Sequence, residues 1–397
     1  MNEILTEAKG IENELISLRR NIHKNAEIGF SLEKTSSLIK EKLREYGYIP
    51  KDIAKCGVYA TLGEGDKCIL LRADCDALVM EERSNEEFSS KNGNSHACGH
   101  DMHTAMLLGA AKLLKMHEKE LKCTVKLFFQ PAEELLLGAN EAIRCGIMEN
   151  PKVDAAVTLH TMTAIPYECG TVIIPSENVT APAADFFEIS VKGRSSHGAA
   201  VQNSKDATAI AARILLALDE VCAKELSPKD EALISIGKFS SGSSANVISD
   251  LAILEGTLRC AEEDTREKIK ERIRELAKGY SALFGGIGEV NFLGGAPVLK
   301  NDERMCRAAQ KALKEEFGNR LILTEKMDSG TKRSMGGSED FAHFSNLVPS
   351  VLLGITAGNA KRGYIHPLHH PEVRFDERAL LYGASAFALC ALHFNEK

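Results

Sequence analysis

The sequence predicts an α/β chain: a mostly parallel sheet flanked by helices, interrupted by an inserted α+β domain of order β-α-β-β-α-β. Three observations predict it. Short, largely apolar, β-rich runs at 68–73, 124–129 and 153–159 alternate with helical patterns at 103–116 and 134–144, the rhythm of a buried parallel sheet. From about 185 the rhythm changes to strand, helix, strand, strand, helix, strand at 186–191, 206–224, 233–239, 251–259, 264–283 and 288–293. After the turn-rich Gly294-Gly295-Ala296-Pro297, a helix at 302–317 and a strand at 350–353 resume the first pattern.

Each element has its local reason. Apolar residues at 11–20 and 35–45 recur at helical spacing, and the second stretch meets a Gly-Tyr-Ile-Pro stop at 47–50. The β-rich run 57–62 is separated from 68–73 by the turn Gly63-Glu64-Gly65-Asp66. The helix expected at 134–144 opens just after Pro131, and the strand 153–159 is expected to end at His160. The expected organisation is a discontinuous catalytic domain, 1–183 with 296–397, around an inserted domain at 184–295.

Composition narrows the function. With 397 residues, 44% hydrophobic and 26% charged, the chain reads as an ordinary globular protein of two or three domains. Its net charge of −7 offers no positive field for nucleic acid or anionic lipid. No run approaches the ~20 apolar residues that span a bilayer, so no membrane or nucleic-acid partner is expected. The N-terminus is charged and amphipathic rather than a secretory leader, and eleven cysteines lie scattered without a CxxC pair. The expected compartment is the cytoplasm.

Chemistry-bearing residues collect beside apolar strands and turns. His96-Ala97-Cys98-Gly99-His100-Asp101-Met102-His103 packs three histidines, a thiol and a carboxylate in front of an apolar helix. An N-cap at Asp101 explains only one of them. Gln130-Pro131-Ala132-Glu133-Glu134 sets two adjacent carboxylates at a strand terminus, Leu159-His160 ends another strand, and His366 and Leu368-His369-His370-Pro371 lie near the C-terminus. Imidazole, thiolate and carboxylate together suit zinc, and the mixed softness of the set also admits manganese, cobalt or nickel. Five candidate ligands point to two divalent ions. Such a pair polarises a carbonyl and activates water, leaving Glu133 or Glu134 as general base. The rival reading, Cys98 as nucleophile with a histidine base, leaves the paired glutamates without a role.

The chain resembles the aminoacylase/carboxypeptidase-like metallohydrolases, specifically the amidohydrolase branch of N-acyl-amino-acid, hippurate and auxin-conjugate hydrolases. The resemblance covers nearly the whole chain. It is carried by Arg19-Arg20-Asn21-Ile22-His23, Arg72-Ala73-Asp74-Cys75-Asp76-Ala77-Leu78, 96–104, 129–134, Leu159-His160, Ser196-His197-Gly198-Ala199, Asn246-Val247-Ile248, Gly256-Thr257-Leu258-Arg259, Gly337-Ser338-Glu339-Asp340-Phe341 and 368–371. It implies that Cys98, His100, Glu134, His160 and His369 ligate the metals and that Glu133 is the base. Asp76 matches an aspartate that supports the centre, while a strand-end cap or turn former is the alternative role. His103 and His370 fit supporting or surface roles, and His23 that of a satisfied histidine on a helix.

The resemblance further implies that His197 and Asn246, from the inserted domain and often across a dimer interface, hold the substrate's carbonyl oxygen or carboxylate. Arg259 would clamp a free carboxylate through its planar fork, or else be a strand-surface arginine. The inserted domain is expected to close over the substrate as a lid and to supply a homodimer surface. The implied activity is hydrolysis of a small N-acyl amino acid or peptide-like substrate by metal-activated water. Alternatives are a dipeptidase, an N-acetyl-diaminopimelate deacetylase, or a non-catalytic metal-dependent binding protein. Two departures bear on acyl preference: Leu135-Leu136-Leu137 stand where the branch usually has glycines, and Val79 where it usually has proline.

Overall fold

The computed structural model describes residues 3–175, 178–227, 229–324 and 337–395. In chain order the principal elements are α1 (Glu3–Gly10), α2 (Glu12–Lys24), α3 (Glu33–Glu45), β1 (Lys51–Ile53), β2 (Gly57–Leu62), β3 (Cys68–Asp74), α4 (His100–Met116), β4 (Thr124–Gln130), α5 (Gly138–Arg144), β5 (Ala155–Met162) and β6 (Val172–Ile174). Then come β7 (Ala183–Lys192), α6 (Ala207–Glu220), β8 (Ala232–Ser241), β9 (Leu251–Cys260), α7 (Glu263–Leu283) and β10 (Ile287–Ala296). The chain finishes with α8 (Glu303–Phe317), β11 (Leu321–Leu323), α9 (Ala342–Ser345), β12 (Ser350–Thr356) and α10 (Ala379–Leu392).

Two compact units result. The first takes the described residues up to Thr180 and those at 300–324 and 340–395; the second takes Ala181–Leu299 and 337–339. The first carries an eight-stranded sheet of order β1-β2-β4-β3-β5-β12-β6-β11. Its centre, β4-β3-β5-β12, is parallel, whereas β2 runs antiparallel to β4. β3 and β4 are buried along their whole length, which is why both are predominantly apolar rather than alternating, with Arg72, Asp74 and Lys126 as buried exceptions. Helix α4 is buried on every side from His100 to Ala111, so it has no polar face to expose. The second unit is an antiparallel sheet, β8-β9-β7-β10, with α6 and α7 packed on a core of Phe187, Ile189, Ile210, Ile214, Leu254 and Ile269.

The structure corrects several expected boundaries. α4 begins at His100, three residues before the expected start, because left-handed Gly99 (φ +86°) turns the chain into the helix. A Cβ at Gly99 would lie 2.4 Å from Thr161 Oγ1, so only glycine fits the turn. The helix expected at 134–144 begins only at Gly138, since Ala132 and Leu136 adopt left-handed φ values of 57° and 53° and fold 132–137 into a tight turn. His160 does not end its strand: β5 continues to Met162, paired with β12 in the register His160↔Gly354.

One buried charge ties the sheet to its connections. Lys126 on β4 is fully buried, and its Nζ donates to the carbonyls of Ile147 (2.7 Å), Glu149 (2.9 Å) and Pro151 (2.9 Å). Substituting Lys126→Met should therefore cost about 2–4 kcal/mol, because it leaves carbonyls without a donor. Urea unfolding measures it, and a loss below about 1 kcal/mol would mean that water replaces the ammonium.

Candidate metal centre

The carboxyl ends of β3, β4 and β5 open toward one another, and the N-terminus of α4 enters the same space, as expected where ligands gather on an open α/β sheet. His100 is fully buried, and its Nδ1 donates to the Asp76 carbonyl at 2.8 Å. That bond leaves Nε2 as the other functional nitrogen. Nε2 has no hydrogen-bond partner and lies 3.9 Å from both Glu133 Oε2 and Glu134 Oε1. Glu134 Oε1 is likewise buried without a hydrogen-bond partner and lies 3.6 Å from His369 Nε2.

Cys98 Sγ is 3.6 Å from His160 Nε2, and His160 Nδ1 donates to the Thr161 carbonyl at 2.8 Å. The ligating atoms of Cys98, His100 and His160 lie within 4.8 Å of one another, as do those of Cys98, Glu134 and His369 and those of His100, Glu133 and Glu134. The three sets share members. The structure thus brings together all six residues expected to hold or serve the metals, from four separate stretches of chain.

The residues present fit a cation. Burial pushes the Glu134 carboxyl up to about 7 and holds the Cys98 thiol well above its ordinary range. For His100, burial opposes charge, yet the Asp74 carboxylate and Cys98 lift its pKa well above the ordinary value. A buried, anion-rich cluster that retains protons is one in which a divalent cation would take their place.

Supporting groups fix this geometry. The Asp76 carboxylate accepts from the backbone N–H of Glu133 (2.9 Å) and Glu134 (3.2 Å), so it clamps the turn that presents both glutamates. His103 does not join as a free donor: Nδ1 pairs with Asp74 Oδ1 at 2.5 Å, and Nε2 accepts from Thr161 N at 2.9 Å. His369 takes left-handed φ (+63°) and donates its N–H to the Ala97 carbonyl at 2.9 Å, which ties the C-terminal loop to the 96–100 segment. His366 stands apart, paired with Glu372 at 3.3 Å and stacked on His370.

Sequence reasoning gave two residues no adequate role. Arg72, fully buried, donates to Asp74 (2.7 Å), Asp340 (2.7 Å) and Gln130 (3.0 Å). Its signal was a basic and an acidic residue at i, i+2 on one face of an otherwise apolar strand. Asp101 is not the N-cap of α4: Gly99 holds that position, and Asp101 pairs with Arg19 at 2.6 Å and His23 at 2.7 Å.

The remaining candidates lie in the second unit. His197 and Asn246 are neighbours in a two-stranded ribbon, where His197 pairs with Val247 and the Asn246 carbonyl accepts from Gly198 N at 2.8 Å. Asn246 Oδ1 accepts from Ser244 at 2.6 Å. Arg259 is on β9 and donates to Ser338 at 3.2 Å.

The Asp76 clamp gives a direct expectation. Asp76→Ala strands two buried N–H groups and should cost about 2–4 kcal/mol in thermal or urea unfolding, whether or not metal is added. A variant as stable as its parent would show that the clamp is dispensable.

Comparison with known proteins gives the family of the chain. Residues 70–393 match the model of peptidase family M20/M25/M40. The chain is 33% identical over 389 residues to an N-acetylcysteine deacetylase of Bacillus subtilis, covering 97% of each chain. It is 32% identical to a hippurate hydrolase of Campylobacter jejuni, covering 98% of this chain and 99% of that one. Among solved structures, a putative aminohydrolase from methicillin-resistant Staphylococcus aureus superposes with a TM-score of 0.86 at 29% identity over both full chains. The Bacillus subtilis YXEP protein, described as a dinuclear metal-binding peptidase of the M20 family, superposes with a TM-score of 0.75 at 32% identity over 97% of this chain and 98% of that one. The chain belongs to peptidase family M20/M25/M40 and stands in its amidohydrolase branch, as a metal-dependent hydrolase of amides.

Proposed function

We propose that this protein removes the acyl group from N-acyl amino acids or related small conjugates bearing a free carboxylate. Cys98, His100, Glu134, His160 and His369 hold two divalent cations, and Glu133 is the general base. One observation carries the reading: the unpartnered Nε2 of His100 and Oε1 of Glu134 converge with a thiol and two further imidazoles, while Glu133 sits at their edge. The names of the deacetylase and hippurate hydrolase relatives support the substrate class. Thiol and imidazole donors favour zinc, and the carboxylates admit manganese, with cobalt or nickel as substitutes.

When bound, the cations supply Lewis acidity that polarises the acyl carbonyl and makes water more acidic. Glu133 accepts the proton of the attacking water and delivers it to the departing nitrogen. Asp76 keeps both glutamates aimed, as its two backbone contacts support. His197 and Asn246 bind the substrate's carbonyl oxygen or carboxylate, and Arg259 its free carboxylate. The domain at 184–295 acts as lid and homodimer surface, a role supported by the exposed apolar side chains of Leu233, Phe239, Leu251, Ile287 and Leu293. The compartment is the cytoplasm, which eleven free cysteines support. Among the described residues no helix is long and apolar enough to cross a membrane.

The test is release of free amino acid from N-acetyl, N-benzoyl, N-indoleacetyl and long-chain N-acyl amino acids, with N-acetyl-diaminopimelate and dipeptides alongside. The enzyme is loaded separately with zinc, manganese, cobalt or nickel, with a chelated control. Metal-dependent release is expected, and Glu133→Gln should lower kcat about a thousand-fold while the cations stay bound. Silence from folded, metal-loaded protein would sink the reading.

A second outcome concerns protons. Since the Glu134 carboxyl is pushed up to about 7, it is mostly protonated at pH 6 and ionised at pH 8 when no cation is present. Zinc binding should release about one more proton at pH 6 than at pH 8, read by calorimetry in buffers of different ionisation enthalpy. Equal release at both would remove Glu134 from the ligand set.

A further inference from the structure

Against Asp101 of the 96–103 segment lies a buried charged cluster that the proposed chemistry does not use. Arg19 and His23, one turn apart on α2, are both buried and both reach Asp101 Oδ2, at 2.6 and 2.7 Å. The other ring nitrogen of His23 meets Glu82 Oε1 at 3.0 Å. Nδ1 also lies 3.3 Å from the donor Nη2 of Arg19, while the two carboxylates draw protons onto the ring and hold its pKa above the ordinary value. Glu82 is itself held: its Oε2 accepts from Ser90 N at 2.7 Å, and Ser84 Oγ donates to its Oε1. Phe88 closes the cluster, lying under the Arg19 guanidinium at 4.6 Å and edge-on to His23 at 5.3 Å.

The groups facing His23 are the charges of Arg19 from its own helix, Asp101 from α4 and Glu82 from the 80–90 loop, and the ring of His96 at 6.0 Å, which burial keeps neutral. Burial and Arg19 oppose its charge, and the two carboxylates outweigh them.

Position gives this cluster its meaning. The first turn of α4 is gripped from three directions: His100 on the Asp76 carbonyl, His103 on Asp74, and Asp101 on α2. Its N-cap is glycine and makes no side-chain hydrogen bond, so the chain just before the helix is steered by these grips rather than by a cap. Asp101 follows His100 directly and lies three residues after Cys98.

We propose that His23 is a positioning residue for the cation centre: by bridging Asp101 to Glu82 it holds the first turn of α4 at the angle that aims Cys98 and His100. The inference rests on the reading of Cys98 and His100 as ligands. It differs from a general stabilising role in being local, and the same helix contains the control. At the far end of α4, about 24 Å away by helical rise, His117 makes the same kind of bridge, Nδ1 to Glu120 and Nε2 to Glu7, both at 2.7 Å. His23→Gln and His117→Gln each replace an imidazole that bridges two carboxylates with a neutral amide, but only the first lies beside the proposed ligands.

The experiment uses the full-length chain stripped of metal. Zinc affinity is measured by competition with a chromophoric chelator, the cobalt form is read by its thiolate-to-cobalt and d–d absorption, and melting temperature is recorded for each variant. His23→Gln should weaken zinc binding about 10- to 100-fold and alter the cobalt spectrum. His117→Gln should lower the melting temperature yet bind zinc within about twofold of the parent. Glu82→Gln, which keeps the acceptor and the shape, should show a smaller loss in the same direction, and it decides the matter if His23→Gln does not fold. Unchanged zinc binding in folded His23→Gln and Glu82→Gln overturns the proposal, as does an equal loss in His23→Gln and His117→Gln. A parent chain that binds no zinc overturns the ligand reading, and this inference with it.

Discussion

The Arg72 guanidinium is the constraint on which the first unit depends. It lies buried beneath the strand ends with Asp74 and Asp340 each at 2.7 Å, and Gln130 at 3.0 Å completes its fork. Asp340 in turn accepts from Gln130 Nε2 and from the backbone N–H of Ala139, so the same ion pair secures the start of α5. Several carboxylates crowd this region, and an uncompensated buried charge costs several kcal/mol. The arginine meets part of that cost with a fixed, planar donor set; His103 meets another part by pairing with Asp74.

Among the described residues several buried polar atoms lack a hydrogen bond, and two of them lie in the candidate site. Asp74 is satisfied, Asp76 is satisfied by two backbone amides, and His103 is satisfied at both nitrogens. His100 Nε2 and Glu134 Oε1 are not hydrogen-bonded, although they are buried. Both ring nitrogens of His96 and Asp101 Oδ1 also lack hydrogen bonds, but His100 Nε2 and Glu134 Oε1 face each other at 3.9 Å, the arrangement on which the proposed cation site rests. The left-handed turns at Ala132, Leu136 and His369 carry backbone strain at the same place, where it shapes the approach of Glu133, Glu134 and the His369 loop.

Much of this was legible in the sequence because the relevant residues are dense and lie beside apolar strands. Cys98, His100, Glu133 and Glu134 announce themselves by local crowding next to a helix or strand that has no polar face. The buried network was not legible, since Arg72 and Asp340 are 268 positions apart and Arg19 and Asp101 are 82 apart, separations that no local pattern encodes. Asp101 was open to misreading as a cap because an acidic residue at a helix start ordinarily is one; the left-handed turn at Gly99 displaced it toward α2. His197, Asn246 and Arg259 drew their roles from family resemblance alone, being loop and strand residues with no distinguishing neighbourhood. The start of α5 was misplaced because apolar spacing cannot register the positive φ values that break the helix before Gly138.

The all-round burial of α4 has a consequence for the lifetime of the site. From His100 to Ala111 the helix has no exposed face and so no route to local fraying through its middle, and those amides should exchange only with opening of the whole first unit. His100 opens that helix and Cys98 lies two residues before it, so their arrangement shares its persistence. The candidate site is thereby joined to a part of the fold with little scope for local opening.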